Sequence, residues 1–190
     1  TYPVTETIHY EEILRSNVSP ARTDEQTQDR AHEVALDALD SLDGRGVYGI
    51  ELFETEDGEI LVNEIAPRPH NSGHWTIEGA RTSQFENHVR AVLGWPLGQT
   101  GLREPTVSAN ILGDVDEPEP ATLHNVDSVL ESANANLHWY GKRQARPLRK
   151  MGHITVTDSA GDTEDVDETD RDALLDRAES IRDSVTFVGE

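Results

Sequence analysis

The sequence predicts an α+β protein built from two packed units that meet near residue 100. Three observations support this prediction. Strand-like segments flank an Asp-Gly turn, apolar residues recur with helical spacing near both ends of the chain, and short strand-like segments follow residue 105. A chain of 190 residues is also long enough to bury a substantial core in one or two domains.

The first helix is predicted over residues 23–42, where apolar residues recur at a spacing near 3.6. Thr23 or Asp24 is suited to cap its start, and Asp43-Gly44 is suited to end it. A second helix is predicted over residues 83–93, because a Gly-Trp-Pro stop follows it directly.

Residues 47–65, between these two helices, are predicted to form a β-hairpin. A two-residue loop of Asp57 and Gly58 places Glu51 directly opposite Glu64. The flanking residues are mostly branched or aromatic, so we expect the two strands to be buried.

The opposed glutamates predict a metal site. Directly opposed residues on one sheet face have Cβ atoms about 4.5–5.5 Å apart, and like charges at that spacing repel each other. A bound divalent cation removes the repulsion, and carboxylate oxygens suit Mg²⁺ or Mn²⁺. The alternative is that Glu51 and Glu64 lie on a hydrated face of an acidic protein.

The elements of the second unit are predicted from shorter patterns. We expect strands at residues 106–112, 137–140 and 153–157, and a helical turn or two within residues 120–133. We expect an exposed acidic turn at residues 159–169 and a final helix at residues 170–186.

Composition excludes several classes of function. The formal net charge of −21 argues against nucleic acid and anionic membranes as partners. The chain has no cysteine, which rules out disulfides and thiolate metal sites, and it has no apolar run long enough to cross a membrane. We expect a cytoplasmic location and interpret the acidic, lysine-poor composition as halophilic adaptation, with simple solubility as the alternative.

The loop after the hairpin is a candidate reactive site. It carries Arg68, His70, Asn71, Ser72 and His74 on a segment stiffened by two prolines. Arg68 offers a planar fork for phosphate or carboxylate oxygens. Each histidine is suited to carry a proton or to bind a metal, or simply to make a structural hydrogen bond.

A basic cluster is the third candidate. Lys142, Arg143, Arg146, Arg149 and Lys150 fall within nine residues of an otherwise acidic chain, and they include both of its lysines. The cluster is interpreted either as a salt-bridging patch or as an anion pocket. An isolated basic pocket in a negative field favours a small phosphate ester, since polyanions are repelled by the remaining surface.

Several segments resemble one enzyme family, the N5-carboxyaminoimidazole ribonucleotide synthetases, which are also called the ATPase subunit of phosphoribosylaminoimidazole carboxylase and belong to the ATP-grasp superfamily. The resembling segments are residues 49–53, 62–76, 82–86, 138–142 and 149–153. The resemblance implies that residues 1–98 are the C-terminal part of an ATP-grasp domain, an antiparallel sheet with helices. It implies that residues 99–190 are a small mixed β-rich domain.

The resemblance also implies a ligase reaction and roles within it. ATP activates bicarbonate, and the amine of 5-aminoimidazole ribonucleotide is carboxylated in a step of purine biosynthesis. Glu51 and Glu64 would hold Mg²⁺ and, with Asn63, bind the ATP phosphates. The remaining site residues are Arg68, His70 and Asn71 around the transferred group and Lys142 and Arg149 on the ribonucleotide phosphate.

The resemblance implies partners as well. The family's N-terminal half precedes the matched region, so we expect this chain to be a C-terminal half that is inactive alone, and we expect a homodimer. The chain departs from the family at Leu148, where the family usually has glycine, and at Thr7, where it usually has asparagine.

Two alternative functions differ in class. A metal-dependent hydrolase would bind Zn²⁺ through His70, His74 and the glutamates, although His-x-x-x-His here lies in a loop rather than on a helix. A non-catalytic module that only dimerises or binds nucleotide would follow from a truncated gene. The reading frame upstream of Thr1 discriminates the module from the enzyme.

Overall fold

The computed structural model describes residues 1–158 and 168–187 of the chain. These residues pack into two compact units. One unit comprises Thr1–Glu6 and Ser19–Arg103, and the other comprises Thr7–Val18 and the chain from Glu104 onward. The acidic turn predicted at residues 159–169 falls outside the described residues, apart from its last two positions, which begin the final helix.

The α+β prediction is confirmed, since antiparallel strand pairs alternate with helices. In chain order the elements are β1 (Glu6–Tyr10), β2 (Ile13–Ser19), α1 (Glu25–Asp40), β3 (Gly49–Glu54), β4 (Ile60–Ala66), a 3₁₀ turn (Asn71–Gly73), α2 (Thr76–Gly79), α3 (Gln84–Leu93), β5 (Thr106–Leu112), β6 (Glu119–Pro120), α4 (Val126–Leu130), β7 (Ala135–Trp139), β8 (Gln144–Ala145), β9 (Lys150–Thr157) and α5 (Glu168–Ser184).

Both helices predicted for the first unit are present, and their caps explain their bounds. Asp24 caps α1 by accepting a hydrogen bond from the Thr27 backbone N–H at 2.8 Å. Ser83 caps α3 in the same way, and Gly94 ends that helix in the left-handed conformation at φ 70°.

The hairpin of β3 and β4 has the predicted pairing of Glu51 with Glu64, but its loop differs from the predicted one. The loop is longer than two residues: the Gly58 N–H donates to the Thr55 carbonyl at 2.9 Å, and the Thr55 N–H donates to the Glu59 carbonyl at 2.9 Å. Gly58 adopts φ 80°, as a three-residue hairpin loop requires. The two-residue loop was therefore wrong.

A β-bulge restores the pairing that the longer loop displaces. Leu52 pairs with Val62, whereas Glu51 pairs with Glu64, so Asn63 is the extra residue on β4. The predicted burial of the strands was also wrong. Phe53 is 58% exposed, Leu61 48% and Val62 44%, because α1 contacts only part of β4 and most of this strand is open to solvent.

The second unit is built on a five-stranded sheet with strand order β1-β2-β5-β9-β7. The strands predicted after residue 105 are confirmed, and so are the short helix α4 and the final helix α5. α5 packs on β5 and β9. The apolar core of this unit lies between them, and its fully buried members include Val107, Met151, Ile154, Val156 and Ala178.

Strands β1 and β2 were not predicted from the sequence, and they change the assignment of residues to the two units. Pairing of β2 with β5 brings residues 7–18 into the second unit, whereas the predicted division at residues 98 and 99 assigned them to the first. A turn at Glu11 and Glu12, both with positive φ, connects the two strands. Among residues 1–158 and 168–187, no helix is both long enough and apolar enough to cross a membrane.

Candidate functional site

The first candidate region is the face of the hairpin that carries the two glutamates. Glu51 and Glu64 are register partners on antiparallel strands, so their side chains leave the same face of the hairpin. The Glu51 side chain is 17% exposed, whereas Glu64 is exposed. The bulge at Asn63 adds an amide side chain directly beside Glu64. The structure thus brings the predicted pair together.

His70 lies next to this pair. Its Nδ1 atom is 3.7 Å from Oε1 of Glu51 and 2.9 Å from Oγ of Ser72. The loop packs directly against β3 at Gly49, where an added Cβ would come within 2.4 Å of the His70 Cβ. Glycine at this position is therefore what lets the histidine approach the carboxylate.

Gln84, which the sequence analysis did not select, holds the His70 backbone. Its Oε1 accepts from the His70 N–H at 2.9 Å, and its Nε2 donates to the His70 carbonyl at 2.7 Å. The side chain is buried at the start of α3. Only its place within the segment 82–86, which resembles the enzyme family, singled it out in the sequence.

The other loop residues lie in different surroundings. Both polar atoms of the Asn71 amide are buried, and they have no hydrogen-bond partner within the described part of the chain. Arg68 is exposed, and its guanidinium donates to the neighbouring Pro69 carbonyl at 3.1 Å. His74 stacks on Phe85 with ring centroids 5.9 Å apart. The loop therefore leaves the Arg68 side chain open to a ligand, whereas the Asn71 amide is buried.

The donor set fits Mg²⁺ better than Zn²⁺. Among residues 1–158 and 168–187, no cluster of three or more His, Cys, Asp or Glu side chains is arranged to hold an ion. A catalytic Zn²⁺ takes three protein ligands. Mg²⁺ is commonly bound by one or two carboxylates together with water and substrate phosphates, and Glu51 and Glu64 supply such a pair.

The second candidate region is the loop between β7 and β9, which carries the basic cluster. Lys142 Nζ donates to the Lys150 carbonyl and lies 5.7 Å from the centre of the Tyr140 ring. Arg149 donates through Nη1 to the Gln144 carbonyl at 3.0 Å. Burial and then the charge of Arg149 lower the pKa of Lys142. The two cations are thus tied to the backbone of their own loop.

Leu148 takes an unusual backbone conformation between these cations. Its φ of 59° lies in the left-handed region, which favours glycine. Its N–H donates to the Gly113 carbonyl at 3.0 Å, and the Gly113 N–H donates to the Arg149 carbonyl at 2.9 Å. These two bonds fix the loop against the end of β5.

Two histidines and a tyrosine lie together on β7, on β9 and just after β7, where His153 is buried and Tyr140 is 37% exposed. His138 and His153 are register partners whose rings stack with centroids 4.3 Å apart. Nδ1 of His153 is hydrogen-bonded to the Tyr140 hydroxyl at 2.8 Å. Burial raises the pKa of Tyr140, so this hydroxyl keeps its proton well above neutral pH. No pattern in the sequence indicated a role for this group.

Two family models match successive parts of the chain. Residues 1–85 match the family model of the ATP-grasp domain. Residues 106–169 match that of the phosphoribosylaminoimidazole carboxylase C-terminal domain. The N5-carboxyaminoimidazole ribonucleotide synthase of Bacillus subtilis strain 168 is 46% identical over 158 residues, which are 82% of this chain and 39% of that protein.

The chain belongs to the N5-carboxyaminoimidazole ribonucleotide synthase family. Solved structures of the family show the same fold. The synthetase from Thermotoga maritima superimposes with a TM-score of 0.85 at 42% identity, covering 100% of this chain and 48% of that one. The synthase from Aspergillus clavatus, solved in complex with ADP and 5-aminoimidazole ribonucleotide, gives 0.82 at 37% identity, covering 96% and 47%.

The chain therefore spans less than half the length of these relatives of the synthase family. The prediction that its first part is an ATP-grasp segment is confirmed. The conformation of Leu148 gives a physical reason for the glycine expected there in the family, because a left-handed φ is unstrained only without a Cβ.

Proposed function

We propose that this chain is the C-terminal part of an ATP-dependent ligase that carboxylates 5-aminoimidazole ribonucleotide with bicarbonate. The observation that carries the proposal is the pairing of Glu51 with Glu64, with His70 3.7 Å from the first of them. The missing N-terminal half of the same enzyme would supply the remaining ATP and substrate contacts. The proposal extends to a homodimer and to work at high salt, which the resemblance and the net charge of −21 support.

The reaction needs two displacements. A bicarbonate oxygen attacks the γ-phosphorus of ATP and releases ADP, which leaves a carboxyphosphate. The exocyclic amine of the ribonucleotide then attacks the carboxyl carbon, the bond to phosphate breaks, and the amine loses a proton. Both steps build negative charge on oxygens, which fixed donors and cations stabilise.

Glu51 and Glu64, with Asn63 beside them, are the residues that would hold Mg²⁺ or Mn²⁺ together with the ATP phosphates. When bound, the ion would neutralise charge on the phosphate oxygens. In this proposal the protein's own contribution at this site is alignment. The paired strands hold the two carboxylates, and the loop places the His70 ring 3.7 Å from Glu51.

Arg68, His70 and Asn71 are proposed to bind the group being transferred. The Asn71 amide is buried without a hydrogen-bond partner among the described residues, so a side-chain rotation that uncovers it would let it donate to a carboxyphosphate oxygen without breaking a protein contact. The exposed guanidinium of Arg68 can pair with two oxygens of one phosphoryl group.

Lys142 and Arg149 are proposed to bind the phosphate of the ribonucleotide. The lowered pKa of Lys142 reflects partial burial and the nearby guanidinium, and the negative charge of a bound phosphate would offset the cost of both. The hydrogen bonds of both residues to loop carbonyls hold the cations in place before the ligand arrives.

The test is an assay of ADP release by the complete ligase that contains this chain. Release that requires both bicarbonate and 5-aminoimidazole ribonucleotide supports the proposal. ADP release that is indifferent to bicarbonate would refute it. A zinc hydrolase is not favoured, because the described residues offer no three-ligand site and His74 stacks on Phe85.

A further inference from the structure

The side chain of Gln84 makes the same contacts with His70 that a neighbouring strand would make. It accepts from the His70 N–H at 2.9 Å and donates to the His70 carbonyl at 2.7 Å. Both main-chain polar groups of one loop residue are therefore satisfied by one amide. The Gln84 residue is 3% exposed, so water does not compete readily for these bonds.

A second contact ties the same helix start to the loop. The Gln84 backbone N–H donates to Thr76 Oγ1 at 3.0 Å, and that hydroxyl donates to the Gly73 carbonyl at 2.6 Å. A Cβ at Gly73 would lie 2.6 Å from Gln84 Oε1. Glycine at residue 73 thus leaves room for the amide to reach His70.

His70 is consequently held from two sides. Gly49 on β3 sets how closely the residue approaches the carboxylate strand, and Gln84 on α3 fixes its main chain. The ring, which lies 3.7 Å from Glu51 and 2.9 Å from the Ser72 hydroxyl, depends on that placement. A main chain that drifted would carry the His70 ring away from Glu51.

We propose that Gln84 is a positioning residue of the ligase, whose amide fixes the His70 main chain and thereby places the His70 ring beside Glu51. The proposal rests on the proposed function of the carboxylate site. It requires the amide group specifically, since only a side chain with one donor and one acceptor at this reach satisfies both the N–H and the carbonyl.

Two substitutions in the complete ligase separate positioning from packing. Gln84→Met keeps the length and removes both hydrogen bonds, and the expected loss in kcat is about 10²-fold, as for a misplaced reacting group. The KM for 5-aminoimidazole ribonucleotide is expected to stay within about threefold, because binding and chemistry are affected separately. Gln26→Met, on the exposed face of α1, is the matched control and is expected to leave both constants unchanged.

Gln84→Glu provides an internal test through pH. An ionised carboxylate cannot donate to the His70 carbonyl, whereas a protonated carboxyl offers a donor and an acceptor like the native amide. The rate of Gln84→Glu relative to wild type is expected to rise as pH falls, while the ratio for Gln84→Met stays flat. A ratio for Gln84→Glu that does not change with pH would overturn the proposal, even if Gln84→Met fails to fold.

A double mutant identifies the residue through which Gln84 acts. In a His70→Ala background, Gln84→Met is expected to cost less than about twofold in kcat, because the positioned ring is already gone. Losses that multiply would contradict action through His70. Wild-type ligase without bicarbonate-dependent ADP release would instead refute the proposed function, whereas active wild type and an equally active Gln84→Met would refute the positioning role alone.

Discussion

The carboxylate hairpin and the basic loop are held in place by different means. Glu51 and Glu64 are aligned by strand register, and the adjoining loop is fixed by the buried side chain of Gln84. In the basic loop, Lys142 is held by the Lys150 carbonyl and Arg149 by the Gln144 carbonyl. The hairpin site therefore depends on strand register and on the side chain of another element, whereas both cations are held by backbone carbonyls within eight residues along the chain.

This difference has a functional meaning. A site for reacting phosphates needs fixed geometry, because small displacements of aligned groups reduce the rate strongly. A site that grips a substrate phosphate needs positive charge and tolerates more adjustment. Changes in the hairpin should therefore lower kcat, and changes in the basic loop should raise KM. The four predictions below test this division in the complete ligase.

The largest effect is expected at the hairpin. Glu64→Ala removes one of two opposed carboxylates, so the loss of transition-state charge stabilisation is expected to lower kcat on the order of 10²–10³-fold. The control is Glu59→Ala, an exposed glutamate of the same hairpin whose side chain is not part of the site. Unchanged ADP release in Glu64→Ala would remove the metal role from this residue.

Arg149→Ala is expected to act on binding instead. Loss of a charge-assisted contact to phosphate, worth about 1.5–3 kcal/mol, should raise the KM for 5-aminoimidazole ribonucleotide about 10–100-fold and leave kcat within a few-fold. Steady-state kinetics measure both constants. Arg146→Ala is the control, because the Arg146 side chain is exposed and its guanidinium donates to the Gln144 side chain rather than to a loop carbonyl. A fall in kcat with unchanged KM would reverse the assignment of the two regions.

The pH dependence of the KM for 5-aminoimidazole ribonucleotide should identify Lys142 as a titrating group. Because burial and Arg149 lower the pKa of Lys142, its ammonium group loses its proton at a lower pH than an ordinary lysine. The KM for the ribonucleotide should accordingly rise as pH increases through this lowered pKa. Lys142→Arg keeps its charge and should flatten the rise, so identical alkaline profiles for both proteins would show that Lys142 is not the titrating group.

The smallest effect concerns the backbone of the basic loop. Leu148→Gly should relieve the cost of a left-handed leucine, about 1–2 kcal/mol, less the entropic cost of glycine of about 0.5–1 kcal/mol. A rise in Tm of a few degrees is expected in differential scanning calorimetry. Leu97→Gly, an exposed leucine without a positive φ, should give no such rise, and equal shifts would show that backbone strain is not the cause.

The elements with strong local signals could be predicted from the sequence. Helix α3 has its capping serine and its terminal glycine within the chain segment itself, so its bounds follow from residues 83–94. The pairing of Glu51 with Glu64 was also predicted, although two departures from the assumed hairpin compensate each other. The longer loop and the bulge at Asn63 lead to the same pairing of acids.

The features that were missed depend on partners distant in the chain. Strand β2 carries the buried polar residues Ser16 and Asn17, so its composition does not resemble a core strand. Asn110, 96 residues away, donates to the Leu14 carbonyl of this strand. The hydrogen bonds between Gln84 and His70 likewise form only when the start of α3 packs against the loop that follows β4. Hydrophobic periodicity contains no signal for such a contact.

The most direct measurement is the anomalous scattering of Mn²⁺ in crystals of the complete ligase grown with ADP. An anomalous peak bridging the carboxylates of Glu51 and Glu64 and the nucleotide phosphates is predicted, and it should disappear in Glu64→Ala. A peak that lies away from both glutamates, or one that persists unchanged in the variant, would contradict the assignment of this hairpin as the metal-bearing part of the enzyme.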